Sequence, residues 1–147
     1  MINKQITFLL SELNEIFGDD LISVVLFGSH TRKNYSQNSD IDLLIVANKE
    51  AEEKEIKKLR MDSLIKFGKK IDLHFFSKRE IISNFNHCSP LFTSLLLGKK
   101  IIFDKEMFFK DQFKSFIKEM VKEKIIFCEG DKVWEMNKVA KGLEASQ

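Results

Sequence analysis

An α+β fold, a small β-sheet flanked by helices, is what this sequence predicts, and three observations carry that prediction. Short apolar runs rich in Val and Ile, at 22–27, 41–46, 70–77 and 100–103, have the length and composition of strands. Around them lie longer segments whose apolar residues recur every three or four positions, as in helices that pack one face on a core. A single Pro and six Gly in 147 residues leave few long irregular segments.

Residues 3–17 place Ile6, Leu9, Leu10, Leu13, Ile16 and Phe17 on one helical face, and Gly18 follows where a C-terminal cap belongs. Ile22 to Phe27 is a buried strand closed by Gly28-Ser29. The polar stretch from His30 to Ser39 has room for one helical turn over 31–34. Ile41 to Val46 is the second strand. From Glu50 to Phe67, charges alternate around Ile56, Leu59, Leu64, Ile65 and Phe67, which predicts a helix with a solvated outer face, ending at Gly68. Lys70 to Ser77 is a third strand, with Ile71, Leu73 and Phe75 on one face and Asp72, His74 and Phe76 on the other. Arg79 to Phe85 suits a short helix, and Ser89-Pro90 begins another that Gly98 stops; Lys100 to Phe103 is a fourth strand. Phe109, Phe113, Phe116, Ile117, Met120 and Val121 then predict one long helix from 105 to about 128. Gly130 separates it from a last short helix carrying Val133, Trp134 and Ala140.

The pattern divides the chain into a core, residues 1–104, and a C-terminal helical extension, residues 105–147. Its 44% hydrophobic and 31% charged residues are those of a globular protein with a core of its own. Residues 1–104 carry 15 basic and 14 acidic residues and the remainder 9 and 8, so neither part is a polycation suited to unspecific nucleic-acid binding. No apolar run approaches the roughly 20 residues of a membrane helix, and no basic stretch with an apolar core opens the chain. The expected location is cytoplasmic. Cys88 and Cys128 lack CxxC spacing and read as reduced thiols; His30, His74 and His87 form no zinc-like cluster.

Strand geometry turns part of this pattern into chemistry. Side chains alternate faces along a strand, so Asp40 and Asp42 point one way while Ile41 and Leu43 point into the core. Asp72 is a further acid on a strand, where acids are depleted. If the two strands are neighbours, the three carboxylates meet on one face. Like charges that close are stable only with cations between them, and hard carboxylate oxygens suit two Mg²⁺ or Mn²⁺ ions. Such a site serves displacement at phosphorus. Gly28-Ser29 supplies a complementary half, a glycine that admits close backbone approach to a phosphate and a hydroxyl that donates to it.

Gly28-Ser29, ten residues, then Asp40-x-Asp42, with a later strand acid, resembles the G-S-x10-D-x-D signature of the minimal nucleotidyltransferases in the DNA polymerase β-like superfamily. Leu26-Phe27-Gly28-Ser29 and Ser39-Asp40-Ile41-Asp42-Leu43 lie close to the family wording, and the match spans about residues 20–104. The resemblance implies a small mixed sheet flanked by helices. It implies that Asp40 and Asp42 bind both Mg²⁺ ions, that Asp72 completes one metal site and helps activate the acceptor hydroxyl, and that Gly28 and Ser29 hold the nucleoside triphosphate. Where members often read G-S-x-A-R-G, this chain has Gly28-Ser29-His30-Thr31-Arg32-Lys33. Arg32 keeps the arginine position and is a candidate phosphate contact or a surface residue; Lys33 departs from the pattern. His74 is either a pocket residue or a packed strand histidine.

With only a helical extension beyond residue 104, no separate primer-binding domain is expected. Minimal members of this family are frequently the antitoxin of a pair with a HEPN-domain ribonuclease, transferring AMP from ATP to a tyrosine of that toxin, and this is the leading expectation. Nucleotidylation of a small hydroxylated molecule, such as an aminoglycoside, is the alternative enzyme reading, and a non-catalytic partner-binding module the alternative class. The Phe-rich helix after residue 105 is either core or an interface for a homo-oligomer or a toxin.

Overall fold

The computed structural model describes residues 2–31 and 40–146. A four-stranded mixed sheet lies between two layers of helices. In chain order the elements are α1 (Ile2–Phe17), β1 (Leu21–Phe27), β2 (Ile41–Ala47), α2 (Glu53–Phe67), β3 (Ile71–Phe76), α3 (Lys78–Asn86), α4 (Pro90–Ser94), β4 (Lys99–Asp104), α5 (Phe108–Met120), β5 (Ile126–Glu129), β6 (Lys132–Glu135) and α6 (Met136–Ala145). The strand order is β3-β2-β1-β4; β1 runs antiparallel to both neighbours and β2 parallel to β3. The four strand assignments up to residue 104 and the four helices before residue 98 stand within three residues of their expected bounds.

The period of two explains why both faces of the sheet are covered. Val24, Leu26, Ile41, Leu43, Ile45, Ile71 and Leu73 point to one side and pack with Leu9, Leu13 and Phe17 of α1 and Ile56 and Leu59 of α2. Val25, Phe27, Leu44 and Val46 point to the other side, under α3, α4, α5 and α6. The buried strands therefore read as nearly continuous apolar runs. Between α1 and α2, Gln5 donates a buried hydrogen bond to Ser63 Oγ at 2.9 Å.

Local signals fix the helix ends on the second layer. Ser77 and Glu80 form a reciprocal capping box at the start of α3. Asp104, the last residue of β4, accepts hydrogen bonds from the backbone N–H of Phe109 and of Lys110, both at 2.9 Å, and from Ser23 Oγ at 2.7 Å. One carboxylate thus caps α5 and ties it to β1. Beneath it Phe85 has its ring centroid 4.7 Å from those of both Phe92 and Phe116.

The chain departs from expectation after Met120. The helix predicted over 105–128 stops there, and a two-stranded hairpin follows, with Glu129 opposite Lys132 across Gly130-Asp131. Val133 and Trp134, expected on a helix, lie on β6, and only Ala140 is helical as expected. The apolar run Ile125-Ile126-Phe127, the Gly-Asp turn with Gly130 at φ +60°, and Val133-Trp134 are hairpin signals that helical periodicity in the preceding stretch had outweighed. The Phe stripe of α5 is core: Phe109, Phe113, Phe116, Ile117 and Met120 are all buried, and Met136 and Ala140 of α6 join them. No helix among the described residues is long and apolar enough to cross a membrane.

Candidate active site

The parallel pairing of β2 with β3 sets Asp42 directly opposite Asp72. On its other side Asp42 pairs with Phe27 of β1, which in turn pairs with Lys99 of β4. One row across the whole sheet reads Asp72, Asp42, Phe27, Lys99. Two carboxylates directly opposite one another on adjacent strands, about 4.8 Å apart, repel. Neither core folding nor pairing requires them there.

Asp42 bears the cost of that placement. Its carboxyl is raised above the ordinary aspartate value, first by burial and then by the Asp72 charge; Asp40 adds to the shift, while His74 and His30 oppose it. His74 stands two residues beyond Asp72 on the same face, with Nε2 3.3 Å from Asp72 Oδ2 and its ring centroid 5.4 Å from that of Phe27. Ligand atoms of Asp42, Asp72 and His74 all lie within 4.8 Å of one another. Opposite ligands of a Mg²⁺ ion are about 4 Å apart, so the two carboxylates fit a divalent cation in both spacing and hardness.

Gly28 is required by the same carboxylate. It opens a short 3₁₀ turn, Gly28–Thr31, with φ +80°, a conformation that costs other residues strain. A Cβ at this position would collide with the Asp42 carboxylate. The turn is braced twice. Thr31 Oγ1 donates to the Gly28 carbonyl at 2.7 Å, and a side chain on Gly98 would meet that same Oγ1 at 2.8 Å. The end of β1, the start of β2 and the start of β4 are thereby closed around the acids.

Of the residues singled out from sequence, Asp42, Asp72 and Gly28 converge, and Ser29 belongs to the turn that Gly28 opens. Asp40 is exposed immediately before β2; it stands outside the close group, although its charge reaches Asp42. Arg32 and Lys33 lie outside the described residues. His74 is the residue whose place the sequence left open, and the structure brings it into the group; the signal was the alternation Asp72-x-His74, which puts both on the face of Asp42.

A family model described as the nucleotidyltransferase domain matches residues 7–128. The chain belongs to this family. As a nucleotidyltransferase it is 30% identical over 142 residues to MJ1305 of Methanocaldococcus jannaschii, named as a candidate protein adenylyltransferase, covering 92% of this chain and 95% of that one. Its fold is similar to that of a toxin–antitoxin crystal structure with AMP-PNP, with TM-score 0.56, 17% identity, 81% of this chain and 86% of that chain. It is similar to a chain of the Shewanella oneidensis complex of a tri-AMPylated HEPN toxin with an MNT antitoxin, with TM-score 0.54, 16% identity and coverage of 81% and 86%. A third similar structure is spectinomycin adenyltransferase AAD(9) from Enterococcus faecialis with ATP and spectinomycin, with TM-score 0.54, 14% identity, 82% of this chain and 68% of that one. At these identities the structural likenesses establish the polymerase β-like fold.

Proposed function

We propose that this nucleotidyltransferase transfers AMP from ATP to a hydroxyl of a protein acceptor, a tyrosine of a HEPN-type toxin, and thereby acts as its antitoxin. The observation that carries the reading is the opposed pair Asp42 and Asp72 with Gly28 shaped around Asp42. A protein that gained nothing from this pair would be more stable with either acid replaced. The relative named for protein adenylylation and the neighbours that are toxin–antitoxin complexes favour a protein acceptor.

In this reading Asp42 and Asp72, with Asp40 from the rim, would hold two Mg²⁺ ions. When bound, these would lower the pKa of the attacking hydroxyl and neutralise the triphosphate and the departing pyrophosphate. Asp72, on the outer strand of the pair, faces the acceptor hydroxyl and takes its proton. Ser29 and the backbone amides of the Gly28–Thr31 turn are assigned to the phosphates. Arg32 is assigned to the same phosphates. His74 sits against Asp72 on the aromatic ring of Phe27, and so fixes the direction in which the Asp72 carboxylate points.

The test is incubation of the full chain with ATP labelled at the α-phosphate, Mg²⁺ and a co-purified or genomically adjacent partner protein. Label on a tyrosine of that protein, lost in Asp42→Asn/Asp72→Asn, is the expected result. Neutralisation of the partner without ATP would instead identify a binding module, and label on an aminoglycoside but on no protein would move the acceptor to small molecules.

A further inference from the structure

A second cavity, of about 580 Å³, opens between the edge strand β4 and the helices α5 and α6. Its volume is that of a small-molecule pocket, for which about 300 to 1,000 Å³ is usual. Three lysines line it. Lys99 is the last member of the row that begins with Asp72, and Lys110 and Lys114 stand one turn apart on α5. Among the described residues none of the three has a carboxylate within ion-pair distance. The acid in the lining, Asp104, is already committed to Ser23 and to the amides that begin α5.

Apart from Ser146 the remainder of the lining is apolar: Phe113 and Ile117 of α5 are buried in its floor, Ile101, Met107 and Leu143 stand more open around it, and Lys99 Nζ lies 4.2 Å from the centroid of the Phe113 ring. Met107 at its edge, like Glu106 before it, holds a left-handed backbone conformation, with φ of 57° and 55°. Two consecutive non-glycine residues of this kind are uncommon and collect where a binding site shapes the chain. Half-buried Lys99 is pushed below the ordinary lysine value by burial and then by Lys110.

We infer that this cavity is a second ligand site, separate from the carboxylates, for a nucleotide-class organic anion whose phosphates meet Lys99, Lys110 and Lys114 and whose base lies against Ile101, Met107 and Leu143. Three lysines without a carboxylate partner favour a ligand with several negative charges. The apolar residues beside them suit a flat apolar body.

The inference does not depend on which acceptor the enzyme uses. It is tested by calorimetric titration of the full chain with ADP in excess EDTA, where metal-dependent binding at the carboxylates is suppressed. Wild-type protein and Asp42→Asn/Asp72→Asn should bind ADP with affinities within about twofold of one another, and Lys110→Gln/Lys114→Gln should bind at least tenfold more weakly. Lys99→Gln should weaken binding in the same direction. Inorganic pyrophosphate should compete more weakly than ADP. Loss of ADP binding in the aspartate variant with retention in the lysine variant, or no binding to wild type, would overturn the second site. Pyrophosphate competing as strongly as ADP would overturn its assignment to nucleotides.

Discussion

The two ends of one row across the sheet carry opposite charges and meet the same difficulty. At one end Asp42 faces Asp72 and its carboxyl is pushed up; at the other Lys99 has Lys110 behind it and its ammonium is pushed down. In both the leading cause is burial and a like charge adds to it. Phe27 stands between them, so Asp42 and Lys99 are two strand spacings, about 10 Å, apart. That is close to a Debye length at physiological salt, too far for either to neutralise the other. In the proposed reading each end draws its counterion from outside the chain, cations at the acids and an anion at the lysines. The opposite face of the sheet shows the contrast: under α1 and α2, β1, β2 and β3 present apolar side chains to the core.

The comparison breaks first at the acidic end. Asp42→Asn/Asp72→Asn should lower nucleotidyl transfer by at least about a thousandfold, as removal of groups that manage transition-state charge does. Without divalent cations the same variant should melt no lower than wild type, because the substitutions remove repulsion. Activity and melting temperature moving down together would show that the pair has a structural role.

Gly28→Ala tests whether the turn exists for the sake of the acid. The left-handed conformation alone costs about 1–2 kcal/mol, and the collision with Asp42 adds to it. Denaturant unfolding should show a loss at least that large. Combining Gly28→Ala with Asp42→Gly should recover part of it, since the collision partner is gone; full additivity would show that the two positions do not touch.

Asp104→Ala lies beside the basic end and should cost about 1–2 kcal/mol through loss of the α5 cap, again measured by denaturant unfolding. It should leave transfer nearly unchanged once the protein is folded.

The smallest effect is that of pH at Lys99. A lysine whose folded-state value is lowered binds fewer protons folded than unfolded, so its contribution to stability rises with pH from the folded value up to the unfolded value of about 10.4. At neutral pH Lys99→Met should therefore be more stable relative to wild type than at pH 10.5. A stability difference that is flat with pH would mean that burial does not penalise this charge.

Much of this was legible in the sequence. Period-two alternation in Ile41–Val46 and Ile71–Phe76 placed Asp42 and Asp72 on strands and on one face, and their parallel pairing then set them opposite one another. Gly28 was legible as a turn, but its quarrel with the Asp42 carboxylate was not, because that contact depends on the antiparallel register of β1 and β2. The row that ends in Lys99 was equally hidden, since β4 joins the sheet beside β1, far from it in sequence. The hairpin over 126–135 was misread because the Phe stripe of α5 extended a helical pattern past Met120. His74 could not be assigned by residue type alone; only its position beside Asp72 and Phe27 distinguishes it from an ordinary strand histidine.

The role proposed for the opposed acids is to hold divalent cations for transfer. Its most direct test is titration of Mg²⁺ into the full chain with a non-hydrolysable ATP analogue, followed by calorimetry, for wild type and Asp42→Asn/Asp72→Asn. Mg²⁺-dependent binding of the analogue to wild type and none to the variant is the expected result. Equal Mg²⁺-dependent binding to both would contradict it.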